Sequence, residues 1–263
     1  MVRIEEINEK NRPPVVASLK SDVIRHVFAV YDLQNDPQHT VAYAAFEDGK
    51  LEGYILIYTA TDVPSVILEC EDKVAKRLLR EAPPSKFIVH APPNLLPAIK
   101  KRFPDAKHYA EDWMLVKENE ARFFESELVK RLRTEEDALK LADLLLSRKD
   151  RPTNTLRKYA EWISKMPIYG VFKEDQLVSY AGSFIQLPQV WFIGGVYTHP
   201  EHRNKGYATI ATSAITEEAL RTAEAAALFT RSDNRPAIRA YEKIGYRKIG
   251  EKVWVDVGTG LKP

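Results

Sequence analysis

The sequence predicts an α/β (α+β) chain built as two tandem mixed-sheet lobes. Three observations carry this reading. Short apolar runs with strand composition alternate with helical patterns along the whole chain. The order hairpin, strand, helix, strand, helix, strand occurs twice. The 263 residues are enough for two domains of ordinary size. The expected division is residues 1–126 and 127–263.

In the first half, residues 41–46 and 51–58 read as a strand pair, joined by Asp48-Gly49, a strong hairpin signal. Residues 66–70 form a third short strand. Residues 73–81 read as a basic amphipathic helix, ended by Pro83-Pro84. A strand over 86–90, a helix over 95–103 broken by Pro104, and a strand over 108–117 complete this lobe.

The second half repeats the order. Residues 128–133 read as a strand, and Thr134 as an N-cap followed by acidic residues that suit a helix start. Helices over 135–147 and 156–166 flank a loop at 150–154. A hairpin joins 169–172 to 177–185. A long strand over 190–198 is closed by Pro200, which cannot donate to a ladder. A helix follows from Gly206 to about Ala226, with Ala211, Ile215, Ala219 and Ala223 on one stripe. A strand over 227–230, a helix over 236–244 and two closing strands, around Tyr246 and over 253–257, end the chain. Residues 43–46 correspond to 169–172, and 87–94 to 228–236.

Composition narrows the function classes. Hydrophobic residues make up 44% and the net charge is +2, the balance of a soluble globular protein and not of a dedicated nucleic-acid binder. The single cysteine, Cys70, excludes an intramolecular disulfide and a cysteine-based zinc site. No apolar run approaches the ~18 residues of a membrane span. The N-terminus lacks a signal-peptide pattern, so the cytoplasm is the expected compartment. Neither nucleic acid nor membrane is expected as a partner, and the chain is expected as a monomer or homodimer.

The chemistry concentrates between the long strand and the helix after it. Arg203, Lys205 and Gly206 stand at a helix start, where free N–H groups and the positive dipole end attract anions. Gly206 lets a phosphate approach the backbone. In the first half the matching place holds Cys70-Glu71-Asp72, which would repel a phosphate. An anion is therefore expected in the second half only.

Two motifs then stand together: Val196-x-Thr198-x-Pro200-x-x-Arg203-x-x-Gly206-x-Ala208, and downstream Asp233-Asn234-x-Pro236-Ala237-x-x-x-Tyr241-x-x-x-Gly245-Tyr246. They resemble the two signatures of the GNAT acetyltransferase superfamily, over about residues 127–258. The two-lobed arrangement with a degenerate first half is similar to glycine N-acyltransferase-like proteins. The resemblance implies two tandem GNAT-like lobes, the second complete and cofactor-binding, with acetyl-CoA or another acyl-CoA as co-substrate. It implies that Val196, Tyr197, Thr198, Arg203, Asn204, Lys205, Gly206, Tyr207, Ala208, Asn234 and Tyr241 bind it. It also implies a splay of the long strand from its neighbour to admit the pantetheine arm, and an oxyanion-stabilising backbone N–H near Val196. Tyr241 would protonate the departing thiolate. A thiol near ~8.5 and a tyrosine near ~10 make that transfer feasible. The other reading of Tyr241 is a helix tyrosine packed in the core. Gly194-Gly195 reads as a bulge re-aiming the backbone or as close packing under an aromatic ring.

The sequence departs from the family at the general base. Many relatives place a glutamate on the long strand, and Phe192 lies about where it would fall. A water chain, Glu161 or Asp150 remain as alternatives. His199 and His202 lack a third ligand, and no metal is expected. The expected activity is transfer of acetyl to a primary amine on a small molecule, amino acid or protein. The alternative is a non-catalytic acyl-CoA-binding regulatory module.

Overall fold

The computed structural model describes residues 1–148 and 156–261. The loop at 150–154, including Asp150, lies outside the described residues. The elements fall into two series with one order. The first is β1 (Arg3–Glu6), α1 (Arg12–Leu19), α2 (Val27–Asn35), β2 (Thr40–Glu47), β3 (Lys50–Tyr58), β4 (Ser65–Cys70), α3 (Asp72–Leu78), β5 (Phe87–Ala91), α4 (Leu96–Arg102) and β6 (Lys107–Val116). The second is β7 (Val129–Arg131), α5 (Glu135–Leu146), α6 (Leu156–Lys165), β8 (Ile168–Lys173), β9 (Gln176–Gln186), β10 (Trp191–Thr198), α7 (Tyr207–Leu220), β11 (Ala226–Arg231), α8 (Arg235–Ile244) and β12 (Arg247–Val257). The internal repeat is thus complete at the level of elements.

The two compact units do not follow the expected division at 126/127. The first comprises Met1–Asp112 and the chain from Gly250 onward; the second is Trp113–Ile249. The reason is strand pairing. In the first unit the order is β1-β2-β3-β4-β5-β12, and Val253–Val257 of the last strand run antiparallel to β5. In the second unit the order is β6-β11-β10-β9-β8-β7, so the end of β6 completes it. Each lobe takes its last strand from the end of the other half's sequence.

Local chemistry explains most elements. Asp48 and Gly49 both adopt positive φ, as the tight β2–β3 turn requires. Thr134 caps α5 in a reciprocal box with Asp137. In the first unit Leu68, Val74, Leu78, Phe87, Val89 and Val255 lie in one buried core. In the second, Trp191, Ile193, Ala211, Ile215, Leu228 and Tyr241 do the same.

Three expectations are corrected. The elements β1, α1 and α2 precede the first expected strand. The long Ala-rich helix stops at Leu220, not near Ala226, because Ala226 pairs with Trp191 in the sheet. The two closing strands are one, β12, running through Gly250.

Candidate functional site

The site is built where β10 leaves β11. These parallel strands pair only at Trp191↔Ala226 and Phe192↔Ala227, although both continue for several residues. Beyond Phe192 the backbone of β10 has no register with β11, and a gap opens between the strands. On its other edge β10 pairs with β9, with register shifts between Phe192 and Ile193 and between Gly194 and Tyr197. Gly195 has φ +68°, which sets the second shift. The two readings of Gly194-Gly195 both hold. A Cβ on Gly194 would stand 3.0 Å from the Phe184 ring, and one on Gly195 would stand 3.1 Å from the Tyr180 hydroxyl. The bulge and the close aromatic packing are one feature.

After Thr198 the chain makes a 3₁₀ turn, Pro200–His202. Arg203 is extended, Asn204 has φ +61°, and Gly206 caps α7 with φ +83°. Only a glycine holds that last conformation without strain. A Cβ at Gly206 would meet nothing within 4 Å, so open space stands before the helix start. The first turn of α7 contains no acid and no side-chain cap. Its leading N–H groups therefore face that space with the positive end of a fourteen-residue helix.

The basic side chains brace this turn. Arg203 Nε donates to the Thr198 carbonyl at 3.2 Å, and Lys205 Nζ donates to the Glu201 carbonyl at 3.1 Å. Both residues remain exposed, so their charge is open to an anion. The Tyr197 ring lies 5.1 Å from the Arg148 guanidinium and 5.7 Å from that of Arg203. Its hydroxyl is held by Ser147 Oγ at 2.8 Å. Val196, Tyr207 and Ala237 pack against the core that contains Tyr241. His199 Nδ1 accepts from the Glu201 N–H at 3.3 Å, and His202 Nδ1 is buried without a partner. Burial and then Lys205 hold the His202 imidazole below its usual pKa. Among the described residues, no group of three or more histidine, cysteine or acidic side chains could hold a metal ion.

The second motif forms the start and body of α8. Asn234 caps the helix by accepting from the Ala237 N–H at 3.4 Å. Tyr241 and Tyr246 are neighbouring buried rings, 6.1 Å apart, with different hydroxyls. Tyr246 Oη is bonded to Thr216 Oγ1 at 2.8 Å. The Tyr241 hydroxyl makes no hydrogen bond among the described residues. Burial pushes its pKa well above the ordinary tyrosine value. It is a donor that keeps its proton, with no acceptor among the described residues.

At the place expected for a base, Phe192 is buried, its ring 5.3 Å from that of Trp113 and 5.5 Å from that of Phe229. Glu161 is exposed, and its hydrogen bond with Lys165 holds its carboxyl below the ordinary range. Such a group is a poor proton acceptor near neutral pH. Sequence reasoning missed Phe184, Tyr180, Trp113 and Phe229. For Phe229 the signal lay in strand alternation, which places it with Phe192 opposite to the α7 side of the sheet; Phe184 sits beside the bulge, where alternation is broken.

Residues 168–255 match the family model of FR47-like proteins. A search of curated proteins found no significant match. Solved structures match over nearly the whole chain. A Drosophila protein has TM-score 0.74 at 14% identity, covering 98% of this chain and 99% of its own. A GCN5-related N-acetyltransferase from Sphaerobacter thermophilus has TM-score 0.67 at 11% identity, with 99% and 98% covered. A tandem GNAT protein of the clavulanic acid biosynthesis pathway has TM-score 0.58 at 12% identity, with 98% of each chain covered. No described helix is long and apolar enough to cross a membrane. Residues 168–255 thus carry the FR47-like pattern, and the chain shares the fold of solved GNAT-family structures.

Proposed function

We propose that the chain is an acyl-CoA-dependent N-acyltransferase, transferring acetyl from acetyl-CoA to a primary amine by direct attack on the thioester. The observation that carries this is the gap between β10 and β11 ending at an acid-free helix start. The gap offers unpaired backbone to an extended pantetheine arm, as an added strand would use it. The open start of α7, with Arg203 and Lys205, suits a pyrophosphate. Val196, Tyr197 and Thr198 would border the arm. Asn204, Gly206, Tyr207 and Ala208 would present backbone N–H groups, and Asn234 would reach it from the start of α8.

In the transfer, the amine nitrogen forms a bond to the acyl carbon and the carbon–sulfur bond breaks. A backbone N–H at the β10 bulge near Val196 would hold the carbonyl oxygen as charge develops there. The Tyr241 hydroxyl would donate to the departing sulfur and recover a proton from solvent. Its raised pKa does not defeat this role, because the burial that raises it raises that of a buried thiol too. The amine proton would leave through water.

A second reading, a non-catalytic acyl-CoA-binding regulatory module, is favoured by Phe192 at the position of the relatives' glutamate. Tyr241→Phe separates the two. The enzyme loses thiol release with acetyl-CoA affinity retained. A regulatory module shows no amine-dependent thiol release in either form. Failure of calorimetry to detect any acyl-CoA binding would overturn both.

A further inference from the structure

We propose that the amine acceptor is an arylalkylamine, or another primary amine carrying a large apolar group, and that Phe184 sets this preference. The inference rests on the acyltransferase reading and names the substrate class of that site. One face of β10 is closed: Trp191 and Ile193 pack into the core with Ala211 and Ile215 of α7. The acceptor must reach the bulge from the opposite face.

That face is aromatic. Phe184 on β9 lies directly over Gly194 and Gly195, where added Cβ atoms would stand 3.0 and 3.3 Å from its ring. It is nevertheless 40% exposed. The Tyr180 ring stands beside it against Gly195, 3.2 Å from the same added Cβ. Along the neighbouring strands the Phe192, Phe229 and Trp113 rings form a contiguous cluster, with centroids 5.3, 5.5 and 6.2 Å apart. Phe229 is half-buried. None of these five residues is charged. A second ammonium or a carboxylate on the acceptor would lose its water here against aromatic rings. An aromatic ring on the acceptor would stack on the exposed Phe184 ring and bury apolar area instead. Its amine, two or three bonds away, would reach the bulge.

The first unit shows that this apolar character is not a demand of the fold. On its corresponding strands, Tyr54, Glu69, His90 and Lys252 are buried, with Glu69 paired to Lys252 and His90 to Glu111. The same framework accepts buried charge on these strands, and the second unit has a ring cluster on its own.

The test measures thiol release from acetyl-CoA by the full chain with phenethylamine, glycine, putrescine and a lysine peptide as acceptors. The expected result is a kcat/KM for phenethylamine about tenfold or more above the other three. Phe184→Ala should lower that value about tenfold, through KM, with acetyl-CoA affinity unchanged; Phe184→Leu should retain most of it. Equal or greater use of the polar acceptors by the unaltered chain overturns the proposal and needs no variant. So does a Phe184→Ala loss that is the same for all four amines, or one that falls on acyl-CoA. If acetyl-CoA itself does not bind in calorimetry, the acyltransferase reading fails with it.

Discussion

The two lobes share one order of strands and helices and differ at the places where a ligand could act. At the helix after the fourth strand, the second lobe has Gly206 and no acid in the first turn, and the first has Glu71 and Asp72. Asp72 accepts a hydrogen bond from Asn94 at 2.6 Å, so the start of α3 is tied to the loop before α4. In the second lobe, Asn234 before α8 caps its own helix. Strands β3 and β4 keep a regular register from Gly53↔Cys70 to Tyr58↔Ser65, whereas β9 and β10 are bulged. The difference teaches that hydrophobic pattern sets the frame. A handful of positions at the frame's edge decide whether a helix start stays open or is tied down.

The comparison can be broken at its catalytic end first. Tyr241→Phe keeps the buried ring and removes only the unpartnered hydroxyl. Thiol release should fall about 10²- to 10³-fold, the scale of a lost general acid, with the acetyl-CoA dissociation constant unchanged in calorimetry. The matching change at Tyr246, whose hydroxyl serves Thr216, should cost stability instead.

The first lobe makes the opposite prediction. Glu69 is buried between Lys252 and Arg25. Lys252→Met should destabilise the chain by about 3 kcal/mol, because breaking a buried pair leaves charge uncompensated. Denaturant titration measures the loss, and activity per folded molecule should not change.

Much of the frame was legible in the sequence because its signals are local. Asp48-Gly49 specified a turn, Thr134 a cap, and Pro236 and Gly245 the bounds of α8. Three features were not legible. Helix α1 contains Pro13, Pro14, Val15 and Val16 and lacks a side-chain cap, so its local pattern is weak. The Ala-rich run past Leu220 has helical propensity, but the Glu224 N–H bonds the Pro188 carbonyl and Ala226 enters the sheet. The exchange of closing strands is set by non-local pairing alone. At the site, the motifs marked the turn and Tyr241. The aromatic cover at Phe184 depends on a bulge that alternation does not predict.

Two smaller effects sharpen the contrast. Gly206→Ala should weaken acetyl-CoA binding about tenfold by straining the positive-φ cap and crowding the space before α7. An alanine at Gly49 in the first lobe's hairpin should leave binding unchanged, and calorimetry compares the two. Last, Asp32 is buried in the first lobe, and burial, then Asp36, pushes its carboxyl up to about 7. A folded pKa above the unfolded one favours the protonated form. This carboxyl therefore costs nothing below pH ~4 and lowers stability progressively as pH rises towards 7. Asp32→Asn should stabilise the chain at pH 8 by about 2 kcal/mol and not at pH 4, as denaturant midpoints at the two pH values will record.

The most direct measurement is calorimetric titration of the full chain with acetyl-CoA, beside Gly206→Asp and Asp72→Asn. One site per chain is expected, lost when an acid is placed at the start of α7 and unaffected when one is removed from the start of α3. Two sites, or a Gly206→Asp chain that binds as tightly as the unaltered one, would contradict the division of labour between the lobes.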